Sequence, residues 1–95
     1  MFVIRETFTA KPGQASKLAK MFHTMFAGEQ RAKMRVLTDY IARFNTVVLE
    51  TEIQNLDDFE KMMQEYTSKP EIREQMKGYT DLYDTGRREV YRVVE

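Results

Sequence analysis

Apolar and polar residues alternate along residues 34–54, and this stretch predicts a β-hairpin. A two-residue turn at Phe44 and Asn45 would collect most apolar side chains on one face, because alternate residues of a strand share a face. The pairs predicted in that register are Val36 with Ile53, Thr38 with Thr51, Tyr40 with Leu49 and Ala42 with Val47. A one-residue slip would scatter the apolar set over both faces, so the pattern itself selects the register.

The other face of this hairpin is mixed, and on it Asp39 and Glu50 are expected to face each other. Two neighbouring carboxylates repel unless one is protonated or a cation lies between them. We expect Arg5 of the first strand, or an arginine of a second subunit, to neutralise them. This interpretation favours an interface role for the two acids over a catalytic pair.

The segments before the hairpin predict a strand followed by a helix. Residues 2–9 alternate and are rich in aromatic and β-branched types, and residues 11–13 (Lys-Pro-Gly) end that strand. From Gln14 to Gly28 the apolar period becomes that of a helix. The predicted buried stripe is Ala15, Leu18, Ala19, Phe22, Met25 and Phe26.

The segments after the hairpin predict two helical stretches and a last strand. Asn55 is the expected N-cap of the first stretch. Ser68 and Glu71 have the spacing of a capping box, which predicts a new helix over residues 69–83. Residues 88–94 predict a strand, but apolar residues on both of its faces leave its orientation open.

This order of elements predicts one α+β domain over residues 1–95 with a ferredoxin-like β-α-β-β-α-β fold. The expected sheet has four antiparallel strands with both helices on one face. Its mixed face, which includes Val3, Leu37, Ile41 and Val48, would remain uncovered. We therefore expect a homodimer that pairs sheet to sheet.

Composition narrows the functional classes. Fifteen basic residues balance fifteen acidic ones, so we expect no nucleic-acid partner and no membrane partner. The chain has no cysteine, which excludes disulfides and thiolate catalysis and fits a cytoplasmic protein. A single histidine without cysteine argues against a metal site. The first residues have no signal-peptide pattern.

Several stretches together resemble the dimeric α/β-barrel superfamily. They are residues 9–13 (Thr-Ala-Lys-Pro-Gly) after the first strand, the helix with Phe22 and Phe26, residues 47–59, and the closing Tyr-Arg-Val at residues 91–93. The broken second helical region around residues 68–70 fits as well. The superfamily includes antibiotic-biosynthesis-type monooxygenases, haem-degrading monooxygenases and stress-responsive barrel proteins.

The haem-degrading branch can be compared residue by residue. That family has an asparagine in the first strand, a tryptophan at the end of the third strand and a histidine on the second helix. Glu6, Ile53 and Met76 stand at the corresponding places here. All three differ, so the resemblance argues against haem and implies no cofactor. It also implies that Glu6 points into the space between sheet and helices, where relatives hold small organic ligands.

Glu6 is the sharpest catalytic candidate, since a carboxylate on an apolar strand face is desolvated and its pKa is then raised towards that of a general base. A structural interpretation is that Glu6 only bonds Tyr40, Tyr79 or a lysine, or reaches solvent. His23 lies at the border of the first helix's stripe and is either a second catalytic group at the pocket mouth or a surface residue.

Four further residues are candidates for substrate binding: Tyr40, Tyr66, Met76 and Tyr79. Tyr66 and Tyr79, together with Tyr83, could orient an aromatic or quinone-like compound, although at helical spacing such residues also serve as core. The resemblance implies a cofactor-independent monooxygenase acting on a small aromatic or polyketide-like compound. The alternative is a non-catalytic ligand-binding or stress-response barrel, and the residues alone do not choose between the two.

Overall fold

The computed structural model describes all of residues 1–95 and contains one four-stranded antiparallel sheet. Strands β1 (Phe2–Ala10), β2 (Lys33–Thr38), β3 (Thr46–Ile53) and β4 (Tyr83–Arg92) lie in the order β2-β3-β1-β4. The helices are α1 (Ala15–Phe26), α2 (Leu56–Ser68) and α3 (Pro70–Gln75), and a 3-10 turn at Tyr79–Asp81 leads into β4. The predicted ferredoxin-like arrangement is confirmed, with α3 as a short third helix.

The helices cover one face of the sheet, which we call the helix face. Its largest buried cluster joins Phe8 of β1 and Leu49 of β3 to Leu18 and Phe22 of α1. The predicted stripe of α1 is confirmed, because Leu18, Phe22 and Phe26 are all buried. Burying a side chain of this size contributes roughly 1.5–3 kcal/mol, so this cluster holds α1 against the sheet.

The β2–β3 hairpin has a longer loop than the sequence predicts, and the predicted register is wrong. Val36 lies opposite Leu49 and Thr38 opposite Val47, four residues away from the expected pairs. Residues 39–45 form a loop that is exposed over residues 40–44, and Asp39 Oδ1 accepts a 2.9 Å hydrogen bond from the Thr46 N–H. Because four is an even number, each strand residue keeps its predicted face. Tyr40, however, leaves the sheet and is 99% exposed.

The second half of the chain departs from the prediction after α2. Asn55 caps α2 as expected, since its side chain accepts a 2.9 Å hydrogen bond from the Asp57 N–H. The helix predicted for residues 69–83 is wrong, because α3 ends at Gln75 and Gly78 has a left-handed φ of +83°. The capping box is absent too, since Ser68 donates its hydroxyl to the Glu65 carbonyl.

Strand β4 begins at Tyr83, earlier than predicted, and its pairing with β1 settles the orientation that the sequence left open. Val90 lies opposite Ile4 and therefore on the helix face. Tyr91 lies opposite Val3 and therefore on the other face of the sheet. Arg88 lies opposite Glu6, so β4 brings a cation to the helix face beside the candidate carboxylate.

The face of the sheet away from the helices, which we call the open face, carries a row of alternating charge. Glu50 of β3 lies between Arg35 of β2 and Arg5 of β1. Glu89 of β4 lies on the other side of Arg5. Arg35 Nη2 lies 2.6 Å and Arg5 Nη2 lies 3.0 Å from the Glu50 carboxylate, whose residue is only 5% exposed. Hydrogen bonds from Arg35 first, then from Arg5, hold the Glu50 pKa below its ordinary value.

The row corrects one expectation and confirms another. Glu50 faces two arginines and not Asp39, so the predicted acid pair is wrong. Arg5 neutralises Glu50 as expected, and Arg35 adds a second cation.

No helix is both long enough and apolar enough to cross a membrane. The cytoplasmic location inferred from cysteine usage stays a prediction.

Candidate functional site

A cavity of about 300 Å³ lies between the helix face of the sheet and the helices. This volume is at the lower end of the range for sites that bind small molecules. Most of its wall is apolar and comes from β1, α1, β3, α2 and α3: Phe8, Phe22, Met25, Phe26, Leu49, Met63, Ile72 and Met76. The wall is therefore suited to an apolar or aromatic body.

An ion pair lies at one side of this cavity. Glu6 of β1 and Arg88 of β4 face each other in the sheet, and Arg88 Nη2 lies 3.2 Å from Glu6 Oε2. The Glu6 side chain is 16% exposed, while Arg88 reaches out and places its guanidinium 5.6 Å from the centre of the Phe59 ring. Arg88 bonds only Oε2, so Glu6 Oε1 has no hydrogen-bond partner within the protein. The partner of Glu6 is thus an arginine, whereas the structural interpretation of the sequence named Tyr40, Tyr79 or a lysine.

Tyr79 lines the same cavity from the 3-10 turn that precedes β4. Its ring centre lies 6.1 Å from those of Phe22 and Tyr83, so the aromatic packing fixes its position. Burial raises the pKa of the Tyr79 hydroxyl, and Tyr83 and the Glu6 carboxylate act in the same direction. The hydroxyl is therefore protonated at neutral pH and can donate a hydrogen bond.

Tyr66 of α2 forms another part of the wall and is held by a buried acid. Its hydroxyl donates a 3.2 Å hydrogen bond to Glu29, and its ring packs edge-on against Phe26 at 4.9 Å. Arg31 also binds Glu29 and reaches Glu65 of α2. The hydrogen bond from Arg31 is the main reason that the Glu29 pKa falls to about 2. This network ties the α1–β2 connection to α2.

The network also affects Tyr66 itself. Burial chiefly raises the pKa of the Tyr66 hydroxyl, and the negative charge of Glu29 adds to the effect. Because the Tyr66 hydroxyl is already bonded to Glu29, Tyr66 contacts a ligand more readily through its ring than through its oxygen. The tyrosine is a wall of the cavity with a fixed orientation.

The structure brings together only some of the predicted site residues. Glu6, Tyr66, Met76 and Tyr79 line the one cavity, and Met76 is buried there. His23 is exposed and lines a separate recess of about 150 Å³. Tyr40 lies in the exposed loop, so its predicted position in the pocket is wrong.

Two arginines of the site were missed by the sequence analysis. Arg88 comes from the strand whose orientation was open, so its side chain could not be assigned to a face. Arg73 of α3 lies at the cavity edge, where its Nε donates a 2.8 Å hydrogen bond to the Thr67 carbonyl. Nothing in the local pattern around Arg73 separates it from the other surface cations.

Comparison with solved structures finds the same architecture in several proteins. An uncharacterised NIPSNAP domain protein from Burkholderia xenovorans superposes with a TM-score of 0.81 at 13% identity, covering 99% of this chain and 95% of the other. SnoaB, a cofactor-independent oxygenase from Streptomyces nogalater, superposes with a TM-score of 0.70 at 14% identity, covering 99% and 93%. The chain shares their ferredoxin-like α/β fold.

An antibiotic-biosynthesis-monooxygenase-like protein from Deinococcus radiodurans has this fold too, with a TM-score of 0.72 at 14% identity over 100% of this chain and 94% of the other. No protein-family model matches the chain. No curated protein matches it in sequence. At such low identity the ferredoxin-like neighbours establish the architecture, and activity has to be argued from the cavity.

Proposed function

We propose that the protein binds a small aromatic or polyketide-like compound in the cavity and oxidises it with O2 without a cofactor. The observation that carries this proposal is the Glu6–Arg88 ion pair at the side of an apolar cavity of about 300 Å³. An apolar pocket with a few convergent polar groups is the usual form of a small-molecule site. The oxygenase among the proteins of the same fold supports the choice of reaction.

In the proposed reaction Glu6 is the base. Its free Oε1 accepts a proton from an acidic CH2 group of the substrate, which leaves a carbanion delocalised into a neighbouring carbonyl. Tyr79 donates a hydrogen bond to the oxygen on which this negative charge collects, and Arg88 holds Glu6 in place.

The carbanion is electron-rich enough to react with O2 directly. A C–O bond forms, the resulting hydroperoxide loses water, and the CH2 group has become C=O. The balance is CH2 plus O2 giving C=O plus H2O, so O2 is the only oxidant. Tyr66 and Met76 shape the wall against which the ring lies. His23 and Tyr40 have no role in this scheme.

A non-catalytic ligand-binding protein is the second candidate. The observation that favours it is that two polar groups of the cavity already have partners within the protein, with Arg88 on Glu6 and Glu29 on Tyr66. In that case the cavity would bind the same class of compound without consuming oxygen.

Oxygen uptake and calorimetric binding, measured on the same panel of hydroxylated aromatic compounds that carry a CH2 group beside a ring carbonyl, separate the two candidates. We expect Glu6→Gln to lower oxygen uptake by about 100-fold or more while binding changes by only a few fold, because general-base catalysis contributes roughly 10²–10⁴-fold. Glu60→Gln is the matched control, since Glu60 is exposed on α2 and does not line the cavity. Unchanged uptake in Glu6→Gln would remove Glu6 from the mechanism, and binding without uptake would favour the second candidate.

The open face supports a further part of the proposal, a homodimer that pairs sheet to sheet. Glu50 is almost fully covered by Arg5 and Arg35, and Glu89 beside Arg5 balances the second arginine, so the row at the centre of this face has no net charge. Val48 and Leu37 lie side by side next to it and add apolar surface. A second copy related by a two-fold axis would cover both.

Light scattering at micromolar concentration tests this dimer. We expect a mass about twice the 11.3 kDa of one chain. Val48→Glu should yield monomers, because it would bury an unpaired charge in the interface. Thr80→Glu, in the exposed 3-10 turn, is a control that should stay dimeric. A monomeric wild-type protein would exclude the sheet-to-sheet dimer.

A further inference from the structure

The charges that line the cavity do not cancel. Arg73, Arg88 and Glu6 are the charged residues of its wall, and Glu6 is paired with Arg88. Arg73 makes no ion pair, not even with Glu71 or Glu74 of its own helix α3. The cavity therefore has one uncompensated positive charge.

The free guanidinium is held in a defined position. Its Nε bonds the carbonyl of Thr67 near the end of α2, which leaves the two terminal nitrogens of Arg73 without a partner in the protein. Those nitrogens have the planar fork geometry that binds a carboxylate or another oxyanion. The ring of Tyr66 and the side chain of Ile72 belong to the same cavity and offer apolar contact next to it.

The size of the cavity limits the ligand. A volume of about 300 Å³ equals the share of roughly ten water molecules in the liquid, at about 30 Å³ each. A compound with one or two fused rings fits that space.

We propose that the ligand is a monoanion with a flat body of one or two rings, and that its oxyanion binds the terminal nitrogens of Arg73. The oxyanion is either a carboxylate or an ionised phenol, which present the same chemistry to a guanidinium. This inference names the substrate class of the proposed cavity and therefore rests on the proposed function. It does not depend on whether the bound compound is oxidised.

Calorimetry with matched probes tests the inference. 2-Naphthoate carries the carboxylate, 2-naphthamide is its neutral counterpart, and a nitronaphthol that is ionised at pH 8 supplies the phenolate. We expect the wild-type protein to bind at least one of the two anions about tenfold more tightly than the amide. Arg73→Met should remove that preference, and Arg73→Lys should restore part of it.

Two controls keep the experiment decisive. Arg43→Met removes an equal charge from the exposed loop and should change the affinities less than twofold. Thermal unfolding of each variant shows that the exposed Arg73 can be replaced without loss of the fold.

The outcomes separate this inference from the proposed function. If the amide binds as tightly as both anions, or if Arg73→Met keeps the preference, the inference is overturned while ligand binding in the cavity stands. If none of the probes binds, both are overturned. A preference for naphthoate alone, or for the phenolate alone, identifies the oxyanion.

Discussion

The Glu29 carboxylate provides a test of how the wall of the cavity is held. Glu29 is 5% exposed at its side chain and accepts hydrogen bonds from Arg31 and Tyr66. Its pKa falls from 4.5 to about 2, a difference of about 2.5 units, and each unit corresponds to about 1.36 kcal/mol. The ceiling on its contribution to the free energy of unfolding is therefore about 3.4 kcal/mol.

The measured effect should be smaller than this ceiling. Arg31 is 50% exposed at its side chain, so solvent and salt screen the ion pair. We expect Glu29→Gln to lower the free energy of unfolding by about 1–2 kcal/mol at pH 7. For a domain of this size, each kcal/mol corresponds to a decrease of roughly 4–8 °C in Tm.

The pH dependence of this effect has a defined sign. A carboxyl group whose folded pKa is lowered stabilises the protein above its unfolded pKa and loses that contribution as the pH falls towards the folded pKa. The Glu29 contribution is therefore fully present above about pH 5. At pH 3 about two-fifths of it should remain.

Urea unfolding of the wild-type protein and Glu29→Gln, followed from pH 7 to pH 3, measures this difference. Glu65→Gln is the control, because it removes the other partner of Arg31 at an exposed position and should cost less than about 0.5 kcal/mol. A difference between wild type and Glu29→Gln that stays constant over this pH range would refute the assignment. So would a variant as stable as the wild type at pH 7.

Two further substitutions test the packing and the helix cap. A Cβ at Gly86 would lie 3.0 Å from the Phe8 ring. Gly86→Ala should therefore lower the free energy of unfolding, measured in urea, by about 1–3 kcal/mol, and it should weaken ligand binding because the ring has to move. Gly28→Ala is the control, since its Cβ would meet no atom within 4 Å and should change neither quantity. Asn55→Ala should cost about 1 kcal/mol, because the Asp57 N–H loses its acceptor, and an unchanged urea midpoint would show that water replaces the cap.

The hairpin shows what alternation can and cannot predict. It assigned Val36 and Leu49 to the helix face correctly, because burial of one face fixes the parity of each strand. It could not locate the end of the ladder, since Tyr40 and Ile41 continue the pattern although both are exposed. The pairing ends there because the Asp39 side chain accepts a hydrogen bond from the Thr46 N–H. The alternation of apolar and polar residues carries no information about that bond.

The site shows a similar division. Glu6 was found because it interrupts an apolar face, and Tyr66, Met76 and Tyr79 because they lie on the inner side of a helical region. Arg88 was missed, since its pairing with Glu6 joins residues 82 positions apart in the chain. That partner changes the chemistry of Glu6, so long-range pairing decides more about this site than any local motif.

The position of β1 in the sheet has a consequence for how the domain is assembled. β1 is synthesised first but lies between β3 and β4, so both of its neighbours are made later. A nascent chain can pair β1 with β3 while β4 is still within the ribosome. At that stage Glu6 has no ion-pair partner, because Arg88 belongs to β4. Such distant pairings slow folding, and they make the cavity one of the last features to mature.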